Sequence, residues 1–193
     1  MRLPTVFVLL ALFMSSTVSA SEAPSGVFLL ADLGRAERGV GVRPGFGVGY
    51  RFASGWAVSA TMQRLLQAPV VSPFLAGPDG EFGMSFVAFP EMRSHALFLS
   101  KDWALRDGGD WTVRASLGAH RWSLDATYDH EPPVGVTVTN FHRSGTDAVA
   151  KIELVTQIAA RLSAGLGFER YWVASGDVDR VALSLRYQFG RAD

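Results

Sequence analysis

The sequence contains no cysteine among its 193 residues. Disulfide bridges and thiolate metal sites are therefore excluded, as is a lipid on the N-terminal cysteine of a mature lipoprotein. Neither sign of charge is in excess, because 18 Lys and Arg side chains balance 18 Asp and Glu side chains. Without a basic surplus, the composition is not that of a nucleic-acid-binding protein.

Long apolar runs are also scarce. The clearest one covers residues 6–14, follows Arg2 and precedes the small-residue stretch Val18-Ser19-Ala20. This order is typical of a secretory signal peptide, and the run is too short to span a membrane, which argues against the alternative of an uncleaved anchor. We expect residues 1–20 to be the signal peptide and residues 21–193 to be one domain, and no later run is long enough for a transmembrane helix.

What the sequence does contain is strict alternation of apolar and polar residues, the pattern of β-strands. It is clearest near the end, where Val181, Leu183 and Leu185 alternate with Ala182 and Ser184. Eight segments carry it, with an unclear phase around residues 101–102 of the fourth that suggests a bulge. The predicted strands cover residues 27–35, 45–52, 56–63, 94–105, 111–120, 148–155, 162–172 and 180–189.

The connections between these segments alternate in length. Short connections follow the second, fourth and sixth strands, whereas residues 67–92 and 123–145 form long ones. Short turns on one side and long loops on the other are typical of outer-membrane barrels. The fold class predicted is therefore all-β, an eight-stranded antiparallel up-and-down transmembrane β-barrel with both ends on the periplasmic side.

A soluble β-barrel such as a lipocalin would show the same alternation, so further features must decide. One predicted face is small or charged, which suits the narrow lumen of an eight-stranded barrel. Aromatic residues flank the predicted short turns, where amphipathic rings would lie at the membrane interface. The predicted interface aromatics are Tyr50, Phe52, Trp56, Trp103, Trp111, Trp172, Tyr187 and Phe189.

Several segments resemble the strands of OmpA-like small outer-membrane barrels. The resemblance rests on residues 26–34, on the glycine-aromatic alternation of 45–52, on 161–171 and on the C-terminal Tyr187-Gln188-Phe189. It implies location in the Gram-negative outer membrane, contact with its lipid and lipopolysaccharide, and recognition of Tyr187 and Phe189 by the barrel-insertion machinery. Four residues follow Phe189, whereas the signal phenylalanine is usually the last residue.

The resemblance also implies a lumen plugged by ion pairs. The candidates are Asp32, Arg51, Arg114, Lys151, Glu153, Glu169 and Arg186. We expect Lys151, Glu153, Glu169 and Arg186 to form the centre, because they lie on the inward faces of consecutive strands. A solid barrel with a structural or interaction role is favoured, and a small-solute channel formed by re-pairing of these charges is the alternative.

A second alternative is a lipid A-modifying hydrolase. One such barrel enzyme uses a His-x-Ser-Asn motif with a nearby Glu, and this chain has His142-Arg143-Ser144-Gly145 with Glu153 downstream. Gly145 replaces the asparagine, His142 lies in or beside a predicted loop, and Glu153 belongs to the lumen set. We therefore predict no catalytic residues and no enzyme.

No cofactor or metal is predicted, since His130 with Asp125, Asp129 and Glu131 suggests only a solvated acidic loop. Function is then expected in the long outer connections. Residues 67–92 are unusually apolar and would form an adhesive patch or extend the neighbouring strands. An extracellular ligand for 67–92 or 123–145 is the remaining prediction.

Overall fold

In the computed structural model, residues 25–37, 41–67, 70–72, 86–88, 91–105, 111–130, 137–173 and 177–189 are described. They form β-strands joined by turns, and none of them belongs to a helix able to cross a membrane. The strands are β1 (Gly26–Ala36), β2 (Arg43–Arg51), β3 (Trp56–Gln67), β4 (Val70–Ser72), β5 (Phe86–Ala88), β6 (Glu91–Ala104), β7 (Trp111–His130), β8 (Thr137–Ala159), β9 (Leu162–Tyr171) and β10 (Val178–Gln188).

Eight of these strands close into an antiparallel barrel. Within this ring, each of β1, β2, β3 and β6 to β10 pairs with two neighbours, and β1 closes it by pairing with β10 from Phe28↔Gln188 to Ala36↔Arg180. Closure leaves no free strand edge within the ring. The predicted eight-stranded antiparallel barrel is confirmed.

The faces of the barrel are inverted relative to a soluble protein. Outward-facing Leu97 and Leu183 are 68% and 64% exposed, whereas inward-facing Arg180 and Glu169 are 1% and 2% exposed. A soluble barrel would bury the leucines and expose the charges. An apolar exterior around a charged interior is the arrangement that a bilayer stabilises.

The predicted bulge at residues 101–102 is wrong. Strand β6 alternates regularly through Asp102, which faces inward and is 8% exposed. The irregularity lies instead in β3, where the register shifts between Arg64 and Leu66. Inward-facing Asp102 follows outward-facing Lys101, and this adjacent pair of charges is what obscured the phase in the sequence.

The predicted loop at 123–145 is also wrong. Strands β7 and β8 continue as a hairpin, paired from Ser123↔Ser144 to His130↔Thr137, and this hairpin extends past the ring strand β6 beyond Glu91↔Asp125. The alternation fades there because this part of the hairpin lies above the membrane-facing apolar surface of the barrel, which we call the apolar band. Above this band, both faces of a strand can be polar. Part of 67–92 adds to this extension, since β4 pairs with β5, and β5 pairs with β7 at Val87↔Asp129.

Candidate functional site

All seven predicted lumen charges lie on the inward face of the barrel. Six are buried, and Arg51 is the most accessible, with 14% of its side chain exposed. They come from six strands, so their contacts depend on how the strands are staggered around the ring. From the long-loop end to the short-turn end, these side chains form three connected groups.

The group nearest the long loops is centred on Arg180. Its guanidinium pairs with Asp32 and donates from Nη1 to Glu169 Oε2 at 2.9 Å and to Gln63 Oε1 at 2.8 Å. The Tyr171 hydroxyl donates to the same Glu169 oxygen at 2.7 Å. Four strands, β1, β3, β9 and β10, are thereby tied together by one side chain and its partners.

The middle group is built on Lys151. Its ammonium lies 3.0 Å from Glu153 Oε1 and 3.0 Å from Glu169 Oε1. Ser184 completes it by donating to Glu153 Oε1 at 2.8 Å. One lysine therefore holds two buried carboxylates that would otherwise repel each other.

The group nearest the short turns is centred on Asp102. Arg114 donates to it from Nε at 2.7 Å and from Nη2 at 3.1 Å, and Arg51 Nη2 lies 2.7 Å from its second oxygen. Arg114 Nη1 also lies 3.6 Å from Glu153, which links this group to the middle one. Two arginines around one carboxylate leave positive charge at this end.

The three groups join into one chain of ion pairs with alternating signs. The order is Asp32, Arg180, Glu169, Lys151, Glu153, Arg114, Asp102 and Arg51. Four acids alternate with four bases, and they come from seven of the eight barrel strands. We call this set the lumen chain.

Arg186 makes no ion pair with the members of the lumen chain, contrary to the prediction, although it lines the same small cavity as Lys151, Glu153 and Glu169. Its Cζ lies 3.9 Å from the centre of the Phe28 ring, a cation–π contact, and its Nε and Nη1 have no hydrogen-bond partner. The stagger of β10 places Ser184 rather than Arg186 against Glu153. Alternation gives the face of a residue but not its height, which explains the error.

Sequence reasoning also missed Arg180, Asp102, Gln63 and Tyr171. The sequence could have indicated Arg180, because this residue is the first one on the polar face of the last predicted strand. Asp102 was lost to the assumed bulge. Two glycines leave space for the group centred on Arg180. A Cβ on Gly34 would lie 2.2 Å from Arg180 Nε, and a Cβ on Gly45 would lie 2.6 Å from Asp32 Oδ2.

Seven of the eight predicted interface aromatics lie near the short-turn rim. Tyr50 and Phe52 make an edge-to-face pair with ring centres 5.1 Å apart, as do Tyr187 and Phe189 at 4.9 Å. Trp111 is half exposed, Trp56 lies under Lys101, and Trp103 is partly buried. Trp172 lies at the opposite end, where its backbone N–H bonds to Ala148 O. Two other aromatics at that end, Trp122 and Tyr171, face inward.

Above the apolar band, the outward face carries polar contacts. Arg170 donates to both oxygens of Asp179 at 2.6 and 2.5 Å, and this lowers the pKa of the Asp179 carboxyl. His142 Nδ1 lies 2.6 Å from Asp125 Oδ1. The side chains of Asp129, His130 and Glu131 fall outside the described residues, and the described ones contain no cluster of three possible metal ligands.

Comparison with solved structures identifies the architecture. A major outer membrane protein of Thermus thermophilus superposes with a TM-score of 0.60 at 13% identity, covering 84% of this chain and 99% of that one. The N-terminal β-barrel domain of Pseudomonas aeruginosa OprF gives 0.56 at 11% identity, covering 85% and 97%. Ail of Yersinia pestis, in complex with the heparin analogue sucrose octasulfate, gives 0.51 at 13% identity, covering 88% and 100%.

The fold is that of the small outer-membrane β-barrels. It agrees with the resemblance that the strand patterns suggest. No protein-family model matches the sequence, and no curated protein matches it either. At identities of 11–13%, the shared property is the barrel itself.

The lumen chain generates a stability prediction. Lys151→Met leaves Glu153 and Glu169 buried without their shared cation, so we expect the free energy of unfolding to fall by about 3–5 kcal/mol. Urea titration of the barrel in lipid vesicles, followed by tryptophan fluorescence, measures this change.

The matched control is Arg170→Met, which breaks an ion pair at the solvent-exposed rim and should cost less than about 1 kcal/mol. The double variant Lys151→Met/Glu169→Gln should recover part of the loss, because it removes one of the two carboxylates whose charges Lys151 no longer balances, while Glu153 keeps Arg114. Equal losses for Lys151→Met and Arg170→Met would show that the buried pairs do not hold the barrel together.

Proposed function

We propose that the chain is a structural and interaction barrel of the Gram-negative outer membrane, exported with a cleaved signal peptide. The observation that carries this proposal is the apolar outward face around the lumen chain. Outward aromatics at the short-turn rim support it, because amphipathic rings favour the headgroup region. The architecture shared with outer-membrane proteins of three bacteria supports it as well.

The lumen of such a barrel would be plugged. A cavity of about 10 Å³ lies among Asp32, Lys151, Glu153, Glu169 and Arg186. This is about the volume that one water requires. A conducting pore would need several of the ion pairs around it to separate, and each separation would leave a charge uncompensated. The structural role is therefore favoured over the channel.

We expect the protein to fractionate with the outer membrane, to run at different positions on a detergent gel before and after boiling, and to leave planar bilayers electrically closed. The ion pairs of the lumen chain are the reason for the closed state. Steady nanosiemens-scale openings of the purified wild-type protein would contradict the plugged lumen, whereas recovery in the periplasmic soluble fraction would contradict the location.

Interaction with an extracellular ligand would take place on the β7–β8 hairpin and on the β4–β5 strands that add to it. These strands lie within the segments 67–92 and 123–145, where the extracellular ligand is expected to bind. Ail, which shares the fold, has been crystallised with a heparin analogue. For this chain we propose a ligand contacted from above the membrane, with insertion of the barrel directed by Tyr187 and Phe189 at the opposite rim.

A shortened hairpin tests the interaction role. Replacing residues 128–139 by Asn-Gly joins the cross-strand partners Thr127 and Asn140 through a two-residue turn and keeps the register below it. Cells carrying this variant should lose binding to heparin-coated and host-matrix surfaces while the barrel still inserts. The control is Asn-Gly in place of Ser54-Gly55 at the opposite rim, and unchanged binding by the shortened variant would reject the role.

A second candidate function, a lipid hydrolase, is favoured by one arrangement on the outward face. His142 and Ser144 lie on the same exposed face of β8, and Asp125 of β7 is the cross-strand partner of His142. The 2.6 Å contact between His142 Nδ1 and Asp125 Oδ1 supplies a carboxylate partner for the imidazole. The acid in this arrangement is Asp125, whereas Glu153 points into the lumen.

The chemistry follows from these positions. With its Nδ1 proton donated to Asp125, His142 has Nε2 left to accept the proton of Ser144. The Ser144 oxygen would attack the carbonyl carbon of a lipid ester, the proton would pass through His142 to the departing alcohol, and water would then release the fatty acid from Ser144. Outer-leaflet lipid A is the proposed substrate, because the site faces outward beyond the apolar band.

Ser123 provides a matched control for this candidate, because it lies directly across from Ser144 on β7. Cells expressing the wild type or Ser123→Ala should contain lipid A lacking an acyl chain by mass spectrometry, whereas Ser144→Ala and His142→Ala should restore full acylation. Identical lipid A in all four strains would end the hydrolase hypothesis and leave the structural role intact.

A further inference from the structure

The outward face carries a hollow between β2 and β8. Its volume is about 670 Å³, within the range of small-molecule sites. Its floor contains the small residues Ala60 and Ala119, and Phe46, Met62 and Leu97 line it beside them. A hollow with an apolar lining on the membrane-facing surface has the shape to take part of an acyl chain.

Basic side chains border this hollow on the side of the long loops. His95 and Arg121 line it and are cross-strand partners. The next outward pair along β3 and β6 is Arg64 and Arg93, whose side chains are 56% and 53% exposed. The outward surface of these strands thus changes from apolar to basic within one or two residue steps.

The carboxylates nearby only partly compensate this charge. Glu91 lies 2.9 Å from Arg93 Nε and 3.3 Å from Arg64 Nε, so one acid serves two arginines. Asp125, the cross-strand partner of Glu91, contacts His142 and also acts on the charge of Arg93. Two acids therefore stand against the three arginines Arg64, Arg93 and Arg121. Within the described part of the chain, Arg121 has no ion pair, although it is exposed and faces Thr146 across the strands. The remaining positive charge therefore lies directly above the hollow.

The position of this charge relative to the apolar band matters. On β7 the outward residues run from Leu117 through Ala119 to Arg121, so the arginine is the first charged group beyond the band. A lipid whose acyl chain lies beside Leu117 would have its polar head at this level. The border differs elsewhere on the barrel, where Arg170 is matched by Asp179.

We infer that this surface binds a phosphorylated glycolipid of the lipid A type, with a phosphate between Arg93 and Arg121 and an acyl chain in the hollow. Two guanidinium groups can bind phosphate oxygens through charge-assisted hydrogen bonds. The inference rests on the proposed outer-membrane location, because only there would the basic border meet the outer leaflet. It makes no use of catalysis by Ser144.

Binding to purified bis-phosphorylated lipid A tests the inference, with the full mature chain in detergent and native mass spectrometry as the readout. We expect Arg93→Gln/Arg121→Gln to weaken binding about tenfold or more. Arg170→Gln, a control on the other side of the barrel, should bind as the wild type does. Ala119→Phe fills the hollow and should weaken binding while both arginines remain.

The choice of lipid separates the possible results. Lipid A with its phosphates removed should bind weakly to the wild type, and phosphatidylglycerol should bind less tightly than lipid A. Equal binding of phosphatidylglycerol, or equal loss in Arg170→Gln, would overturn the inference, because either would indicate attraction to any anionic lipid.

Two measurements distinguish a failure of lipid A binding from a failure of the proposed outer-membrane location. Each variant must show the mobility change on boiling that reports a folded barrel, and the wild type must fractionate with the outer membrane. A wild-type barrel in the outer membrane that does not bind lipid A overturns the inference alone. A wild-type protein outside the outer membrane overturns the proposed function.

Discussion

Burial of charge inside a narrow barrel is the constraint on which this structure depends. Each ion taken out of water costs several kcal/mol unless opposite charges and hydrogen bonds compensate it. The alternating order of the lumen chain meets this requirement, since every internal member has a partner of opposite sign on either side. The compensation joins strands distant in sequence, such as β1 to β10 and β2 to β6, so closure of the ring and pairing of the charges require each other.

The same constraint fixes the register of the strands. A slip of one residue would turn every inward side chain of a strand outward. For β8, that would move Lys151 and Glu153 into contact with lipid and bring Ile152 inward. The outer surface tolerates small differences among apolar side chains, whereas the interior requires particular residues at particular heights. The interior of the barrel therefore determines the register of the strands, whereas the exterior provides favourable contact with lipid.

The sequence was sufficient to predict the ring of eight strands, because apolar–polar alternation is a local pattern and occurs in each of the eight segments. It was also sufficient to predict that the side chains of Asp32, Lys151 and Glu169 face the inside of the barrel. It could not give their partners, since the distance from Arg180 to Glu169 depends on the stagger of two strands and not on any spacing in the chain. The β7–β8 extension could not be predicted for a related reason. Alternation indicates a strand only where one face is apolar and the other polar, and this contrast is lost above the apolar band.

In the proposed orientation, that extension is the part of the molecule that meets the surroundings of the cell. Nine consecutive residue pairs beyond Arg121 and Thr146 amount to about 30 Å of strand, about the thickness of the hydrocarbon layer below. A phage, an antibody or a protease approaching the cell would meet this ribbon before the ring. In the proposed orientation, selection by such agents would act on the hairpin, while the charges inside the ring would be shielded from it. Divergence among related barrels should therefore be concentrated in the hairpin and be low in the lumen.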